Sequence, residues 1–159
     1  MVEHPLEPIY DRNSKVLILG TMPSTISREL KSYYAHPQNR FWKVLEKVFK
    51  TKIIDKHEFL LKNNIALWDV IASCEIQGSS DSSIKNVIPN DIKSLIEKTN
   101  IKYIFTTGKT AYKLYNKYIY EFIKINAICL PSPSPANCKI TVEEMIKEYE
   151  IIKKCLKEE

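Results

Sequence analysis

Four short apolar segments alternate with segments of helical periodicity along this chain, and that alternation constrains the fold more than any other feature. The first apolar segment, residues 16–19, reads V-L-I-L and ends at Gly20. An uninterrupted apolar run of this length is typical of a strand that is buried on both faces of a parallel sheet. Three further strands are predicted over residues 65–70, 102–106 and 125–130.

Amphipathic helices are predicted between these strands and after the last one. Apolar residues recur at helical spacing over residues 38–50, 90–98 and 110–118. Thr141, with Glu144 three residues later, has the pattern of a capping box and predicts the start of a final helix. Because right-handed crossover connections place helices on both faces of a parallel sheet, the sequence predicts a three-layer α/β/α sandwich with a central four-stranded parallel sheet.

Length and composition favour one globular domain. The chain has 159 residues, of which 44% are hydrophobic and 27% are charged, a balance typical of a single domain spanning residues 1–159. Its apolar runs are far shorter than the ~20 residues of a membrane helix, and residues 1–8 lack the basic and apolar regions of a signal peptide. We therefore expect a cytoplasmic protein without a membrane segment.

Cysteine, glycine and charge usage narrow the possible ligands. The four cysteines form no C-x-x-C pair, and the three glycines lie too far apart for the glycine-rich motifs that bind dinucleotides or nucleotide phosphates. We expect no metal and no cofactor. The net charge of +5, from 24 basic and 19 acidic residues, favours a polyanionic partner. Nearly all of the positive charge is lysine, which suits phosphate contacts better than base reading.

Ligands of open parallel sheets bind outside the carboxyl ends of the strands. In this chain those ends are followed by residues 21–39, 69–84, 107–109 and 131–137. Residues 71–88 are interpreted as the only long polar connection, and its length predicts a functional loop.

The most unusual sequences of the chain lie in these same segments. They read G-T-M-P-S at residues 20–24, Y-Y-A-H-P-Q-N-R-F-W at 33–42, G-S-S-D-S-S-I at 78–84 and P-S-P-S-P-A-N at 131–137. Together they resemble the motifs of the hypoxanthine-DNA glycosylase family, a branch of the uracil-DNA glycosylase superfamily.

The resemblance implies the superfamily's fold and a monofunctional DNA glycosylase of base excision repair. Such an enzyme hydrolyses the N-glycosidic bond of deaminated bases, chiefly hypoxanthine in deoxyinosine. The implied partner is DNA that contains deaminated bases, and we expect a monomer. Two alternatives remain open: a glycosylase specific for uracil or mismatched bases, and a non-catalytic module that binds damaged DNA.

The resemblance also implies the catalytic residue. Uracil-specific members carry a water-activating Asp and a pocket-closing Tyr where this chain has Met22 and Ser24, and a His where it has Leu130. In the hypoxanthine branch the catalytic polar group is instead an Asn, which corresponds to Asn39. An amide is too weakly basic to take a proton at neutral pH, so Asn39 can only orient the water and stabilise positive charge on the sugar.

A base-binding set is predicted around the first loop. Asp69 stands where uracil-specific members carry a base-reading Asn, and it either accepts from a ring N–H or caps a turn. Phe41 or Trp42 either stacks on the extruded base or belongs to the core. His36 either protonates the leaving purine or makes a structural hydrogen bond. The predicted substrate-binding residues are Gly20, Thr21, Met22, Pro23, Ser24, Phe41, Trp42 and Asp69.

A second set is predicted to hold the phosphates beside the extruded nucleotide. The segment after the last strand is short, rigid and rich in hydroxyls, which suits phosphate contacts, although a plain connector has the same composition. Arg40 and Lys109, beside these loops, could add phosphate contacts, but each is predicted to be a solvated surface residue. The predicted DNA-binding residues are Ser132, Pro133, Ser134, Pro135, Asn137 and Lys139.

Overall fold

Residues 1–158 are described by a computed structural model, in which seven strands form two sheets. The strands are β1 Val2–Glu3, β2 Val16–Gly20, β3 Ile65–Asp69, β4 Ile71–Glu75, β5 Lys85–Pro89, β6 Tyr103–Thr107 and β7 Ala127–Leu130. The central sheet has the order β3-β2-β6-β7, and each neighbouring pair is parallel. The predicted four-stranded parallel sheet is therefore confirmed.

Helices cover both faces of this sheet. They are α1 Thr25–Leu30, α2 Phe41–Phe49, α3 Lys56–Lys62, α4 Ile92–Glu97, α5 Lys109–Tyr118, α6 Tyr120–Ile123 and α7 Val142–Leu156, with a short 3-10 turn at Asp81–Ser83. The side chains of β2 show why two helical layers are needed. Val16 and Ile18 pack into the core shared with α2, α3 and α7, whereas Leu17 and Leu19 pack into the core shared with α4 and α5.

The start of the last helix, α7, forms as predicted. The Thr141 hydroxyl oxygen accepts from the backbone N–H of Glu144 at 3.1 Å, and the Glu144 carboxylate accepts from the backbone N–H of Thr141 at 3.2 Å. This capping box satisfies two N–H groups that the first turn of a helix leaves without partners. It fixes a helix that buries Met145, Tyr149 and Ile152 against the core.

The segment 71–88 is not one long connection, and that part of the prediction is wrong, although its residues Ser79 to Ser82 do line the cleft described below. Half of the segment forms β4 and β5, which pair antiparallel, and β1 adds to the other edge of β4. In β4, Ile71 and Cys74 are buried while Glu75 is exposed. A small sheet with one covered face tolerates many polar residues, so its strands resemble a loop in sequence. The short helix α3 was also not predicted.

The strand order places the site. From β2 the chain goes to β3 on one side and then to β6 on the other, so the direction of the connections reverses beside β2. Open α/β sheets bind ligands where such a reversal opens a crevice at the carboxyl ends of the strands. Those ends are Gly20, Asp69 and Thr107. In the part of the chain that the structure describes, no helix is both long and apolar enough to cross a membrane.

Candidate active site

A cleft of about 570 Å³ lies over the carboxyl edge of the central sheet. Its volume falls within the roughly 300–1,000 Å³ of small-molecule sites. All four of the segments that the sequence analysis singled out contribute to it, together with Asp69 and Thr107 at the strand ends. The lining residues from those segments are Gly20 to Ser24, four residues of the segment 33–39, Ser79 to Ser82, and Ser132 to Ala136.

Asn39 stands on the wall of the cleft just before α2. Its side-chain oxygen Oδ1 accepts from the backbone N–H of Phe41 at 2.9 Å, and its own backbone N–H donates to the carbonyl of His36 at 2.9 Å. Because an N–H can donate to the oxygen of an amide but not to its nitrogen, this contact distinguishes Oδ1 from Nδ2 in the Asn39 side chain. One lone pair of Oδ1 and both hydrogens of Nδ2 remain for a ligand.

His36 lines the same cleft. Its Nδ1 accepts from the backbone N–H of Gln38 at 3.0 Å, so the neutral ring carries its hydrogen on Nε2. The structural hydrogen bond considered for His36 is therefore present. The same contact leaves an N–H donor on the other ring nitrogen.

The first loop, Gly20 to Ser24, lines the cleft along its whole length. The carbonyls of Gly20 and Thr21 accept from the backbone N–H groups of Val70 and Ile71 at 2.8 and 3.1 Å, which ties the loop to the end of β3. Ser24 caps α1 by accepting from the backbone N–H of Ser27. Neither Met22 nor Ser24 donates its own backbone N–H within residues 1–158.

Asp69 is almost fully buried at the end of β3, beside Gly20 in register. Its Oδ2 lies 2.7 Å from Nε2 of His4, a residue that the sequence analysis did not consider. Its Oδ1 has no hydrogen-bond partner among the described residues, and no backbone N–H there donates to the carboxylate. The turn-capping alternative for Asp69 therefore has no contact to support it.

The structure does not bring Phe41 and Trp42 to the cleft. The side chain of Phe41 is fully buried in the core, and Trp42 lines a separate cavity of about 140 Å³, where its Nε1–H donates to the carbonyl of Tyr33. Of the two alternatives for these rings, base stacking and a place in the core, the structure shows the core.

Tyr34 is an aromatic ring that does line the cleft, and sequence reasoning missed it. It stacks on Phe41 with a centroid distance of 3.9 Å and lies 2.9 Å from the Thr107 hydroxyl through its own oxygen. Its φ of 52° is in the left-handed region, a strained conformation that is common at functional sites. Burial raises the pKa of Tyr34 well above its usual value, so the phenol stays protonated. Tyr34 lies in the same sequence motif as Asn39, and this was the one feature of the sequence that pointed to it as a site residue.

Arg40 is not a solvated surface residue, contrary to the prediction. Its guanidinium donates to the carbonyls of Ile140 at 2.8 Å and Asn137 at 2.5 Å, and its backbone N–H donates to the carbonyl of Pro133 at 3.1 Å. These contacts hold the segment 131–140 against the start of α2, next to Asn39. No short-range sequence pattern links residues this far apart.

The segment after β7 presents serine hydroxyls to the cleft. The oxygens of Ser132 and Ser134 each accept a backbone N–H, from Ser134 and Ala136 respectively, at 3.2 Å, which leaves both O–H groups free to donate. Asn137 uses its side-chain amide inside the loop, donating to the carbonyl of Ser132. Lys139 is exposed and is not among the residues that line the cleft.

The fourth segment, Ser79 to Ser82, closes the cleft from the second sheet. Arg28 joins it to the first loop, since its guanidinium donates to the carbonyls of Pro23 and Gly78 at 2.8 and 3.0 Å. Desolvation by burial raises the pKa of Asp81, against a lowering effect of a hydrogen bond with Thr110. The motif G-S-S-D-S-S-I was noticed in the sequence, but none of its residues was predicted to belong to the site.

The chain matches a known protein family along most of its length. A family model described as "Uracil DNA glycosylase superfamily" matches residues 7–157. The chain belongs to the uracil-DNA glycosylase superfamily. This membership confirms the family and the enzyme class that the sequence motifs predicted.

Relatives of this glycosylase are found among curated proteins and among solved structures. Two proteins named hypoxanthine DNA glycosylase, from Methanosarcina barkeri and Methanosarcina acetivorans, are each 32% identical to it. The alignments cover 69% and 70% of this chain and 73% and 74% of the relatives. A solution NMR structure of a protein assigned to the uracil DNA glycosylases, from Methanosarcina acetivorans, matches with a TM-score of 0.79 at 28% identity. That match covers 96% of this chain and 99% of the other.

The glycosylase presents amide, imidazole, hydroxyl and carboxylate groups in its cleft, and these define its chemistry. Leu130 is buried and offers no polar group to a leaving base. Among residues 1–158 there is no group of three or more His, Cys, Asp or Glu side chains that could hold a metal ion. Polar groups fixed in a partly enclosed cleft act on a reacting bond through oriented dipoles rather than through a strong base.

Proposed function

We propose that this glycosylase is monofunctional and hydrolyses the N-glycosidic bond of deaminated bases in DNA, chiefly that of hypoxanthine in deoxyinosine. One observation carries the choice of substrate: Asn39 and a free oxygen of Asp69 line one cleft whose first loop has no carboxylate. The names of the two Methanosarcina relatives support the same substrate. We also propose that it acts in the cytoplasm and has a single domain. Because one chain supplies the whole cleft, we propose that it acts as a monomer.

Asn39 is the proposed catalytic residue. Its Oδ1 orients a water molecule toward C1′ of the sugar and stabilises the positive charge that grows there. Water adds to C1′ while the C1′–N9 bond breaks, and the electron pair of that bond leaves with the base. The water gives up a proton to solvent, and the base takes one up. The products are free hypoxanthine and an abasic site.

Help for the departing base comes from fixed donors rather than from a histidine at position 130. The backbone N–H groups of Met22 and Ser24 lack partners within residues 1–158 and lie in the loop that lines the cleft. His36 adds an N–H on Nε2. Donors that are already oriented cost no reorganisation when negative charge develops on the base. This modest assistance favours good leaving groups, such as a deaminated purine.

Asp69 is the proposed reader of the base. Deamination of adenine converts ring atom N1 from an acceptor into an N–H donor, and deamination of cytosine does the same at N3. A carboxylate oxygen accepts from such an N–H and repels the bare nitrogen of the parent base. Uracil therefore satisfies Asp69 as hypoxanthine does, and this supports uracil as the second candidate substrate.

The remaining lining residues are assigned to the extruded nucleotide and its phosphates. The base must leave the stack to reach the cleft, at a cost that is lowest for damaged or mispaired bases. The free O–H groups of Ser132 and Ser134 suit the flanking phosphates, and Pro133 and Pro135 keep that segment rigid. Lys139, at the exposed end of the segment, adds a point charge for a phosphate further along the strand.

A panel of duplexes tests this proposal. End-labelled duplexes carry deoxyinosine, deoxyuridine, deoxyxanthosine or deoxyadenosine at one position and are incubated with excess protein, with and without alkali afterwards. We expect strand breaks at deoxyinosine only after alkali, since the enzyme leaves an abasic site without cutting the strand. Faster release at deoxyuridine would favour the uracil alternative. Retained binding without any break would favour the non-catalytic alternative.

A further inference from the structure

The N-terminal segment of the chain is fixed along the edge of β3. Ile9 and Leu67 exchange both backbone hydrogen bonds at 2.9 Å, and the backbone N–H of His4 donates to the carbonyl of Ala72 at 2.7 Å. Leu6, between them, is buried in the core. Residue 4 is therefore held in one place, 65 positions away in sequence from the residue that its side chain contacts.

The hydrogen bonds of His4 determine where its ring hydrogen lies. Nδ1 accepts from the backbone N–H of Leu6 at 3.2 Å, so Nδ1 carries a lone pair. A neutral imidazole must then carry its hydrogen on Nε2, which donates to Oδ2 of Asp69 at 2.7 Å. The side chains are only 3% and 5% exposed. A short bond of this kind between buried groups fixes the plane of the carboxylate.

The other oxygen of Asp69 is left for a ligand. Oδ1 has no partner among residues 1–158, while Asp69 lines the cleft. Gly20 and the Tyr34 hydroxyl confine it on one side, since a Cβ on Gly20 would overlap Oδ1 and lie 2.9 Å from the Tyr34 oxygen. The orientation of Oδ1 thus depends on the bond that His4 makes to Oδ2.

We infer that His4 is a specificity-determining positioning residue, which aims Oδ1 of Asp69 at the ring N–H of a deaminated base. The inference rests on the proposed function. Two hydrogen bonds hold the carboxylate: the backbone N–H of Leu6 donates to Nδ1 of His4, and Nε2–H of His4 donates to Oδ2 of Asp69. In the proposed complex, the ring N–H of the substrate then donates to Oδ1. A site built to accept one N–H rejects an analogue without it by about 10⁴- to 10⁵-fold.

The test compares a purine that carries the ring N–H with one that lacks it. Single-turnover rates are measured on duplexes with deoxyinosine and with deoxynebularine, whose purine lacks both N1–H and the 6-oxygen. The variants are His4→Leu, which removes the donor, and His4→Gln, whose amide nitrogen can still donate. His57→Leu is the matched control, because His57 is exposed and lies outside the cleft. Thermal unfolding of each variant gives its folded fraction.

In His4→Leu we expect the ratio of the deoxyinosine rate to the deoxynebularine rate to fall by about tenfold or more, with the deoxynebularine rate little changed. His4→Gln should recover most of the ratio, and His57→Leu should leave it unchanged. A purely structural role for His4 would lower both rates together, and an unchanged ratio in His4→Leu would overturn the inference.

Failure of the proposed function gives a different result. If the wild-type protein cleaves neither duplex, the function is wrong, and the same ratio is then taken from dissociation constants on the two duplexes. A preference for deoxyinosine that His4→Leu abolishes would still sustain the role of His4. Equal binding of both duplexes by the wild-type protein, or an unchanged preference in His4→Leu, would overturn it.

Discussion

At the scale of single residues, the absence of one Cβ atom determines how closely the groups that line the cleft can pack. At Gly20 the absence of a side chain lets Asp69 and Tyr34 approach the end of β2 from two sides. The backbone of Tyr34 is in the left-handed region. The positions of Asp69 Oδ1, which we propose reads the base, and of the Tyr34 ring thus both depend on one glycine.

Gly20→Ala tests this dependence. The added Cβ would overlap Asp69 Oδ1 and crowd the Tyr34 oxygen, so one of them must move. We expect a loss of about 1–3 kcal/mol in the free energy of unfolding, which is typical of overpacking, and a fall in the deoxyinosine rate larger than the loss of folded protein explains. Urea unfolding and single-turnover rates on the same samples measure the two effects. Wild-type rates and stability would show that the cleft adjusts freely.

At the scale of elements, the site consists of loops that are tied together by two half-buried arginines. Arg40 joins the start of α2 to the segment 131–140, and Arg28 joins the first loop to the segment at Gly78. Each guanidinium donates to backbone carbonyls of another loop. A loop fixed in this way presents its hydroxyls without first having to be ordered by the substrate.

Replacing Arg40 and Lys139 by alanine separates loop positioning from phosphate binding. Arg40→Ala leaves several carbonyls without a charged donor, and we expect a stability loss of about 1–3 kcal/mol with faster hydrogen exchange in residues 131–140. Lys139→Ala should keep stability and exchange unchanged but reduce the dependence of DNA binding on salt by roughly one phosphate contact. Equal exchange rates in Arg40→Ala and wild-type protein would contradict the positioning role.

The sequence predicts the central elements of the fold well because burial fixes their pattern. β2 has to be apolar at every position since both of its faces are covered, and the capping box of α7 needs only Thr141 and Glu144. The hairpin of β4 and β5 has only one covered face, so it contains many polar residues and its sequence resembles a loop. The two strands were therefore not predicted. The contact between His4 and Asp69, and the contacts of Arg40, join distant segments, and no local periodicity carries that information.

At the scale of the whole molecule, three buried tyrosines and the half-buried Tyr34 connect the layers. Tyr33, Tyr115 and Tyr149 donate to the backbone carbonyls of other segments, and Tyr34 contacts Thr107 across the cleft. Burial raises the pKa of all four, in the case of Tyr115 from 10.0 to about 12. Each phenol is therefore held in its protonated form by the fold.

Alkaline pH should unfold the protein through these groups. Because the pKa of each phenol is higher in the folded than in the unfolded chain, their contribution to stability is fully present below about pH 10 and is lost as the pH rises through and beyond about 12. We expect the late part of the tyrosinate absorbance to appear together with the loss of helical circular dichroism. Ionisation of all nine tyrosines with the circular dichroism intact would refute this linkage.

We propose that Asn39, in the cleft at the carboxyl edge of the sheet, drives the release of hypoxanthine. The most direct measurement is the single-turnover rate of wild-type and Asn39→Ala protein on a deoxyinosine duplex. Binding is measured in parallel on a duplex with a 2′-fluoro analogue that resists cleavage. We predict a rate lower by on the order of 100-fold or more in Asn39→Ala, with a dissociation constant within a few-fold of wild type. Equal rates at equal binding would contradict a catalytic role for Asn39.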